Sequence, residues 1–422
     1  MTYSAPKGTK DILPDEISAW QKAERVFSEV CSEYGFREIR IPTFEHTEVF
    51  QKGVGGSTDV VRKEMYTFQD KGGRSMTLRP EGTAGVVRSY IENGMSSLPA
   101  PVRLFYMINA FRYEKMQKGR YREFHQFGVE AFGSAGPNID AEIISLLVMF
   151  FDRMGIRETR LCINSIGCPE CRAAYYEALN EFFADKISGM CPDCNERFKQ
   201  NPMRILDCKE ERCGVFTSRA PRQLAFLCEN CKTHFDGLKS TLDALSIAYT
   251  VDPGIVRGLD YYTRTVFEFV SDHVGTQGTI CGGGRYDKLV EMMGGTSVPG
   301  VGFAMGVERF LMEASSQNVA FSEPATVKIY IANLTEETAA LCQRIAFSLR
   351  RLGIGCETDL TGRSFRSQMK YANKAGIPFV AVIGPDEAVS AKMALKRMSD
   401  GSEMTFSFET NMAEIKRHIL NN

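Results

Sequence analysis

Residues 102–133 read VRLFYMINAFRYEKMQKGRYREFHQFGVEAFG, and the reading of the whole chain turns on them. Two apolar and aromatic runs, VRLFYMINAFRYE and REFHQFGVEAFG, flank a short polar loop with one glycine, the pattern of an antiparallel hairpin. Alternation sorts the second run into two faces. Arg122, Phe124, Gln126, Gly128, Glu130 and Phe132 share one face, while Glu123, His125, Phe127, Val129 and Ala131 share the other. On the first run Arg112 and Glu114 fall together. One side of the hairpin therefore presents Arg112, Glu114, Phe124, Gln126 and Glu130, with Gly128 expected to leave open space between the last two. Such a surface is poor for burial against hydrocarbon and suits the floor of a polar site. A Phe beside an Arg suits a purine held between ring and guanidinium. The span 112–122 nets +4, five cations against Glu114. Charge on a lone loop usually means only a solvated tip, but the face parity, the glycine and the Arg–Phe pair favour a binding site.

The surroundings are those of an ordinary globular protein. The chain has 422 residues, 43% hydrophobic and 24% charged, with a formal net charge of −1. Its length predicts two or three domains, and the charge excludes a global pull toward nucleic acid or membrane. Any polyanion site must be a local patch. The N-terminal MTYSAPKGTKDILPDE lacks an apolar signal region, and no apolar run is long enough to span a membrane, so a cytoplasmic location is expected.

Outward from the hairpin, residues 15–34 have helical apolar spacing, with Asp15 as the expected N-cap and Gly35 as the stop. REIRIP (37–42) reads as a strand ended by Pro42. A helix is expected from about 140 to 154, and a strand at 263–270. CGGGRYD (281–287) and GVGFAMGVERFL (300–311) follow, the latter passing from strand into helix. ASSQNVAFSEPAT (314–326) reads as a linker. Beyond it, strand and helix alternate as β-α-β-α-β through VKIYIANL, GIGCETDL and PFVAVIG, which argues for a small α/β domain with a largely parallel sheet.

Thirteen cysteines are many for a reducing compartment, and eight fall within 168–231. They pair as Cys168–Cys171, Cys191–Cys194, Cys208–Cys213 and Cys228–Cys231. Three CxxC knuckles in 64 residues favour structural zinc, in one or two Cys₄ sites, over free or redox-active thiols. Cys31, Cys162, Cys281, Cys342 and Cys356 read as core thiols.

FRYEKMQKGRYREFHQ resembles motif 2 of class II aminoacyl-tRNA synthetases, in the form found in the histidyl-tRNA synthetase family. TLRPEGTA (77–84), RGLDYYTR (257–264), CGGGRYD, the motif 3-like GFAMGVERF, PKGTKDILP and the motif 1-like REIRIPTFEHTEVF extend the likeness. RSFRSQMKYANKAGIPFVAVIGPDE is similar to the family's anticodon-binding domain. Only the cysteine-rich stretch departs strongly.

The resemblance implies an α+β architecture. A class II antiparallel-sheet catalytic domain (1–167 and 241–318) carries a cysteine-rich insertion (168–240), and a C-terminal α/β anticodon-binding domain covers 326–422. It implies ATP-dependent attachment of L-histidine to tRNA through a histidyl-adenylate, with Mg²⁺ accompanying ATP, in a homodimer with no membrane association. Arg112, Arg257 and Arg309 match the catalytic arginines that meet the ATP phosphates. Phe124 would stack on adenine and Glu114 accept from its amine. Glu81, Gly82, Thr83 and Gln126 match the site of the histidine α-amino group; Glu130 and Tyr262, with Tyr261 alongside, match that of the imidazole. Gln117, Lys118 and Arg120 would meet the tRNA acceptor end. On the helix from Arg363, a stripe of Arg363, Arg366, Lys370 and Lys374 resembles a tRNA-contacting face, with Phe365, Met369 and Ala372 expected to pack. The rival reading is a catalytically inactive, histidine-sensing regulatory paralogue of the same fold. It is disfavoured because the arginines, RGLDYYTR and the C-terminal domain are all present.

Overall fold

The computed structural model describes residues 3–56, 58–117, 119–208, 210–255, 259–273, 278–321 and 326–421. Arg257 and Lys118 lie outside the described residues. The chain divides into two compact units, Met1–Phe321 and Ser322–Asn422.

The first unit is built on an eight-stranded sheet. Its strands are β1 (Arg37–Glu38), β5 (Val102–Phe111), β6 (Glu123–Phe132), β7 (Arg160–Ser165), β8 (Thr250–Val251), β9 (Thr263–Val270), β10 (Thr279–Arg285) and β11 (Gly300–Gly306). A separate three-stranded sheet is formed by β2 (Phe44–His46), β3 (Thr67–Gln69) and β4 (Ser75–Leu78). The large sheet runs β1-β5-β6-β11-β10-β9-β7-β8. Only its outermost pairs, β1·β5 and β7·β8, are parallel. The expected hairpin is present as ten residue pairs from Val102↔Phe132 to Phe111↔Glu123.

Strand alternation gives the sheet two buried faces. On one, Phe105, Phe127, Val129 and Ala131 pack with helix Ile17–Glu33, helix Asn138–Arg153 and helix Val307–Ser316. Phe27 stacks on Phe127 at 4.8 Å between centroids. On the other, Leu104, Tyr106 and Ile108 pack with helix Thr83–Glu92 and with Tyr261, Tyr262 and Tyr286. This second face is rich in hydroxyls, and it carries the cleft.

Several local expectations change. The first helix is preceded by Glu16 rather than capped by Asp15, and neither side chain bonds its N-terminus. REIRIP contributes only two paired residues, because the chain leaves the sheet edge after Ile39 bonds to Phe105. The 314–326 stretch is not wholly a linker. Its first residues finish helix Val307–Ser316 with Ala314 buried, and Val319 and Phe321 pack on the core.

The cysteine-rich stretch is helical: Pro169–Phe183, Pro192–Gln200, Glu211–Thr217 and Glu229–Ala244. It has its own small core around Tyr175, Leu179, Phe183, Met203 and Ile205. The last helix crosses residue 240 and sends Phe235, Leu238 and Leu242 into the main core.

In the second unit, β12 (Val327–Asn333), β13 (Gly355–Thr358) and β14 (Phe379–Ile383) form the expected parallel β-α-β-α-β arrangement. The sequence reading missed an antiparallel extension by β15 (Lys392–Arg397) and β16 (Glu403–Ser407), and the closing helix Met412–Leu420. The order is β13-β12-β14-β15-β16. On helix Phe365–Lys374 Ala372 and Gln368 are buried and Met369 packs half-buried against the same core, as expected, whereas Phe365 is exposed.

Candidate active site

A cleft of about 680 Å³ opens over β6, β10 and β11. Of the residues expected to form a site, it is lined by Glu81, Thr83, Arg112, Glu114, Arg120, Phe124, Gln126, Tyr261, Tyr262 and Arg309. Residues from four separate stretches of chain therefore converge. Gln117 is exposed on the loop, its backbone bridging to Arg120. Glu130 and Gly82 lie behind the lining.

Glu130 is almost wholly buried. Its carboxyl accepts from Thr83 Oγ1 at 2.7 Å and Tyr106 OH at 3.3 Å on one oxygen, and from Tyr286 OH on the other. Burial pushes its pKa up to about 8, against the pull of the three hydroxyls. A carboxylate sunk in a ring of hydroxyls is a selective partner for a polar ring, since an apolar ring would leave these groups unpaired.

The space over Gly128 is not open, contrary to expectation. Tyr106 is its cross-strand partner, and a Cβ at Gly128 would overlap the Tyr106 ring. A Cβ at Gly82 would overlap the same ring. The two glycines leave the slot the phenol occupies, from which its hydroxyl reaches Glu130. Neither Tyr106 nor Tyr286 was singled out from sequence. The signal was available for Tyr106, because extending the parity of Arg112 back along its strand reaches residue 106 on the same face.

Glu81 is also buried, and its carboxylate caps helix Thr83–Glu92 by accepting from the backbone N–H groups of Thr83 (2.7 Å) and Ala84 (2.8 Å). Burial raises its pKa, against those bonds. Gln126 Oε1 is buried and has no hydrogen-bond partner among the described residues. An acceptor left so in a cleft that Glu81 also lines fits a cationic donor. Tyr261 and Tyr262 are buried, their rings 4.7 Å apart, and Tyr261 meets Tyr286 at 5.7 Å.

The cations are braced by backbone. Arg112 Nε donates to Pro80 O at 2.9 Å, and its guanidinium sits 5.4 Å from the Phe124 ring centre. Arg309 Nη1 donates to Thr279 O at 2.9 Å. Burial, then the nearby Arg120 cation, lower the Arg309 pKa, with Glu114 acting the other way. Two cations held close in a half-buried cleft fit a polyanionic ligand. Glu114 bonds Arg120 at 3.1 Å. The loop tip lies against helix Val307–Ser316: a Cβ at Gly119, where φ is +74°, would come within 2.9 Å of Met312 Sδ.

Away from the cleft the eight clustered cysteines form two tetrads. Cys168, Cys171, Cys228 and Cys231 make one, and Cys191, Cys194, Cys208 and Cys213 the other, with all sulfurs of a tetrad within 4.8 Å of one another. Cys168 and Cys171 are 3.6 Å apart, Cys168 and Cys228 3.9 Å, and Cys191 and Cys208 3.7 Å. Tetrahedral zinc with Zn–S near 2.3 Å requires S···S of about 3.8 Å, so the spacing fits. The pairing is nested, the second tetrad lying inside the sequence span of the first. The remaining five cysteines are buried, as expected of core thiols.

The family model described as "Histidyl-tRNA synthetase" matches residues 8–182 and 198–310, and "Anticodon binding domain" matches 328–418. The histidine–tRNA ligase of Acetivibrio thermocellus is 56% identical over 416 residues, 99% of this chain and 100% of that one. That of Caldicellulosiruptor saccharolyticus is 51% identical over 419 residues, 99% of this chain and all of the relative. The chain belongs to the histidyl-tRNA synthetase family. The crystal structure of the apo S. aureus histidyl-tRNA synthetase aligns with a TM-score of 0.85 at 37% identity, over 98% of this chain and all of that one. The fold is that of a class II synthetase catalytic domain followed by an anticodon-binding domain. The gap in the family match, 183–197, contains the CPDC knuckle.

Proposed function

We propose that the cleft performs the two-step attachment of L-histidine to tRNA, and the buried Gln126 carbonyl, without a partner among the described residues and on the same strand face as the hydroxyl-ringed Glu130, is the observation that carries the reading. Family membership makes the chain a synthetase with histidine, ATP and tRNA as substrates. The full-length likeness to histidine–tRNA ligases disfavours the regulatory paralogue.

The roles follow from the groups present. Gln126 Oε1 accepts from the histidine ammonium, and Glu81 and Thr83 complete that subsite, backed by Gly82. Glu130 and Tyr262, with Tyr261 beside them, recognise the imidazole. Phe124 and Arg112 hold the adenine between them. Glu114 accepts from the adenine amine once Arg120 turns toward phosphate. The histidine carboxylate oxygen attacks the α-phosphorus of ATP, and pyrophosphate leaves with the bonding pair. Arg112 clamps the α-phosphate and carboxylate, Arg309 meets the γ-phosphate, and Arg257 completes the set. Fixed cations stabilise the charge that builds up in transit, and ATP brings Mg²⁺ on its phosphates. A ribose hydroxyl of the tRNA end then takes the acyl group, releasing AMP, with Gln117, Lys118 and Arg120 at the acceptor stem. Both cysteine tetrads hold structural zinc. The working form is a cytoplasmic homodimer.

Histidine-dependent ATP–pyrophosphate exchange tests the reading. The wild type is expected to exchange, and Arg309→Ala to lose roughly 100- to 1,000-fold in kcat, the usual loss for one fixed charge-stabilising donor. Gln126→Ala should raise the histidine KM about tenfold or more, the worth of a hydrogen bond to a charged group. No exchange by the wild type with histidine would overturn it.

A further inference from the structure

The cysteine insertion does more than fold on itself. Its first helix, Pro169–Phe183, begins at the first knuckle, and Arg172 follows Cys171 directly. Arg172 Nη2 donates to the backbone carbonyl of Tyr262 at 2.5 Å. The chain enters the insertion beside the same segment: Ile166 N donates to Arg264 O and Arg264 N to Gly167 O, both at 2.8 Å. A Cβ at Gly167, where φ is +65°, would lie 2.5 Å from Cys171 Cβ, so the knuckle is packed tightly against this entry.

A second contact comes from between the inner knuckles. Asn201 Nδ2 and Arg204 Nη2 approach Asp260 Oδ1 at 3.3 and 3.5 Å. Tyr176 OH donates to Asn201 Oδ1 at 3.2 Å, tying the two insertion helices together behind this contact. A cavity of about 70 Å³ separates insertion from pocket here, bordered by Arg172, Tyr176, Arg204, Asp260 and Tyr262. Segment 259–262, which carries both pocket tyrosines, is thus held from behind by two polar contacts. Each springs from a helix whose position depends on a cysteine tetrad.

We propose that the metal-filled tetrads form the back wall of the histidine subsite, with Arg172 as the positioning residue that fixes Tyr262, so that loss of metal weakens histidine binding and leaves ATP binding in place. The inference rests on the zinc reading of the tetrads. Metal removed from Cys168, Cys171, Cys228 and Cys231 frees the start of the helix that carries Arg172. Tyr262 then loses the donor that holds its carbonyl, and the phenol no longer keeps its place against the imidazole. The ATP residues Arg112, Phe124 and Arg309 stand on β5, β6 and helix Val307–Ser316, none of which begins at a knuckle.

The test uses the full chain and three variants. Elemental analysis of the wild type should give two zinc ions, and of Cys228→Ser one. In pyrophosphate exchange, Cys228→Ser and Arg172→Ala should each raise the histidine KM roughly tenfold, a typical energetic coupling between sites, with the ATP KM within about twofold of wild type. Arg172→Lys, which keeps a donor, should recover part of the loss. Arg172→Ala should retain both zinc ions, which separates the contact from the metal and guards against a misfolded Cys228→Ser. An Arg172→Ala protein with full zinc and an unchanged histidine KM overturns the wall while leaving the zinc reading intact. A wild type without zinc overturns the zinc reading and the proposal with it. Equal rises in both KM values overturn the claim of selectivity.

Discussion

Glu130 carries the clearest pH signature in the molecule. Burial lifts its pKa from an ordinary 4.5 to about 8, so the unfolded chain ionises this group first. The associated stability is fully present below about pH 4.5 and is lost as pH rises through about 8. A Glu130→Gln variant removes that loss. Its urea midpoint, measured from pH 5 to 9, should fall less with rising pH than that of the wild type, the difference reaching a few kcal/mol at most. The same residue shows what sequence could and could not tell. Arg112, Gln126 and Arg309 were legible because a motif names them and strand parity or a helix start places them. Tyr106 and Tyr286 were not, because a tyrosine in an apolar strand, or directly after a glycine-rich one, reads as core until its hydroxyl is seen to have a partner. Gly128 was read as a gap when it is a seat for Tyr106.

Among elements, the cysteine insertion was the least legible. It was read only as a cysteine-rich insertion with no elements assigned, yet Cys168–Pro169 and Cys191–Pro192 each place proline at the first position of a helix, where its fixed φ favours initiation. On the proposed zinc reading, a small helical core of this kind depends on its metal. Chelation should therefore lower the thermal midpoint of the first unit and open residues 169–217 to protease. Amide exchange in β12 and β14 should stay unchanged, since those strands belong to the other unit. Helix Phe365–Lys374 was placed correctly, but its basic stripe is narrower than its spacing suggested. Arg363 is bound to Asp359 at 3.2 Å and lies 4.7 Å from the Tyr371 ring centre. Arg366, Lys370 and Lys374 are exposed and remain to meet phosphate. Reversing Lys370 and Lys374 to Glu should weaken tRNA binding and reduce its salt slope by about one for each phosphate no longer neutralised. Filter binding at several salt concentrations measures this, and pyrophosphate exchange should be unaffected.

At the scale of the whole molecule, the two units have separate cores. That of the first is centred on Phe27, Phe127 and Phe150, and that of the second on Ile329, Phe379 and Ile415. Every described cleft residue belongs to the first unit. A chain ending at Phe321 should therefore retain histidine-dependent pyrophosphate exchange while its KM for tRNA rises in the charging assay. The division into two units was readable from the change of texture near 326, because alternating strands and helices are a local pattern. The β15–β16 extension was not, since KMALKR and EMTFS are short and charged, and their strand character comes from pairing with β14. The nested pairing of the cysteines was equally out of reach, because spacing gives the ligands and only the fold gives their partners.

The slot that holds Tyr106 ties three positions to one another. An alanine at 82 or 128 collides with the ring, and a smaller residue at 106 leaves Glu130 short of a donor. Substitutions in mutual contact do not add, so no single change at 82, 106 or 128 is a neutral stepping stone to another arrangement. A laboratory search for altered amino-acid preference that samples these sites one at a time will return inactive clones, and a library that randomises all three together is the route past that barrier.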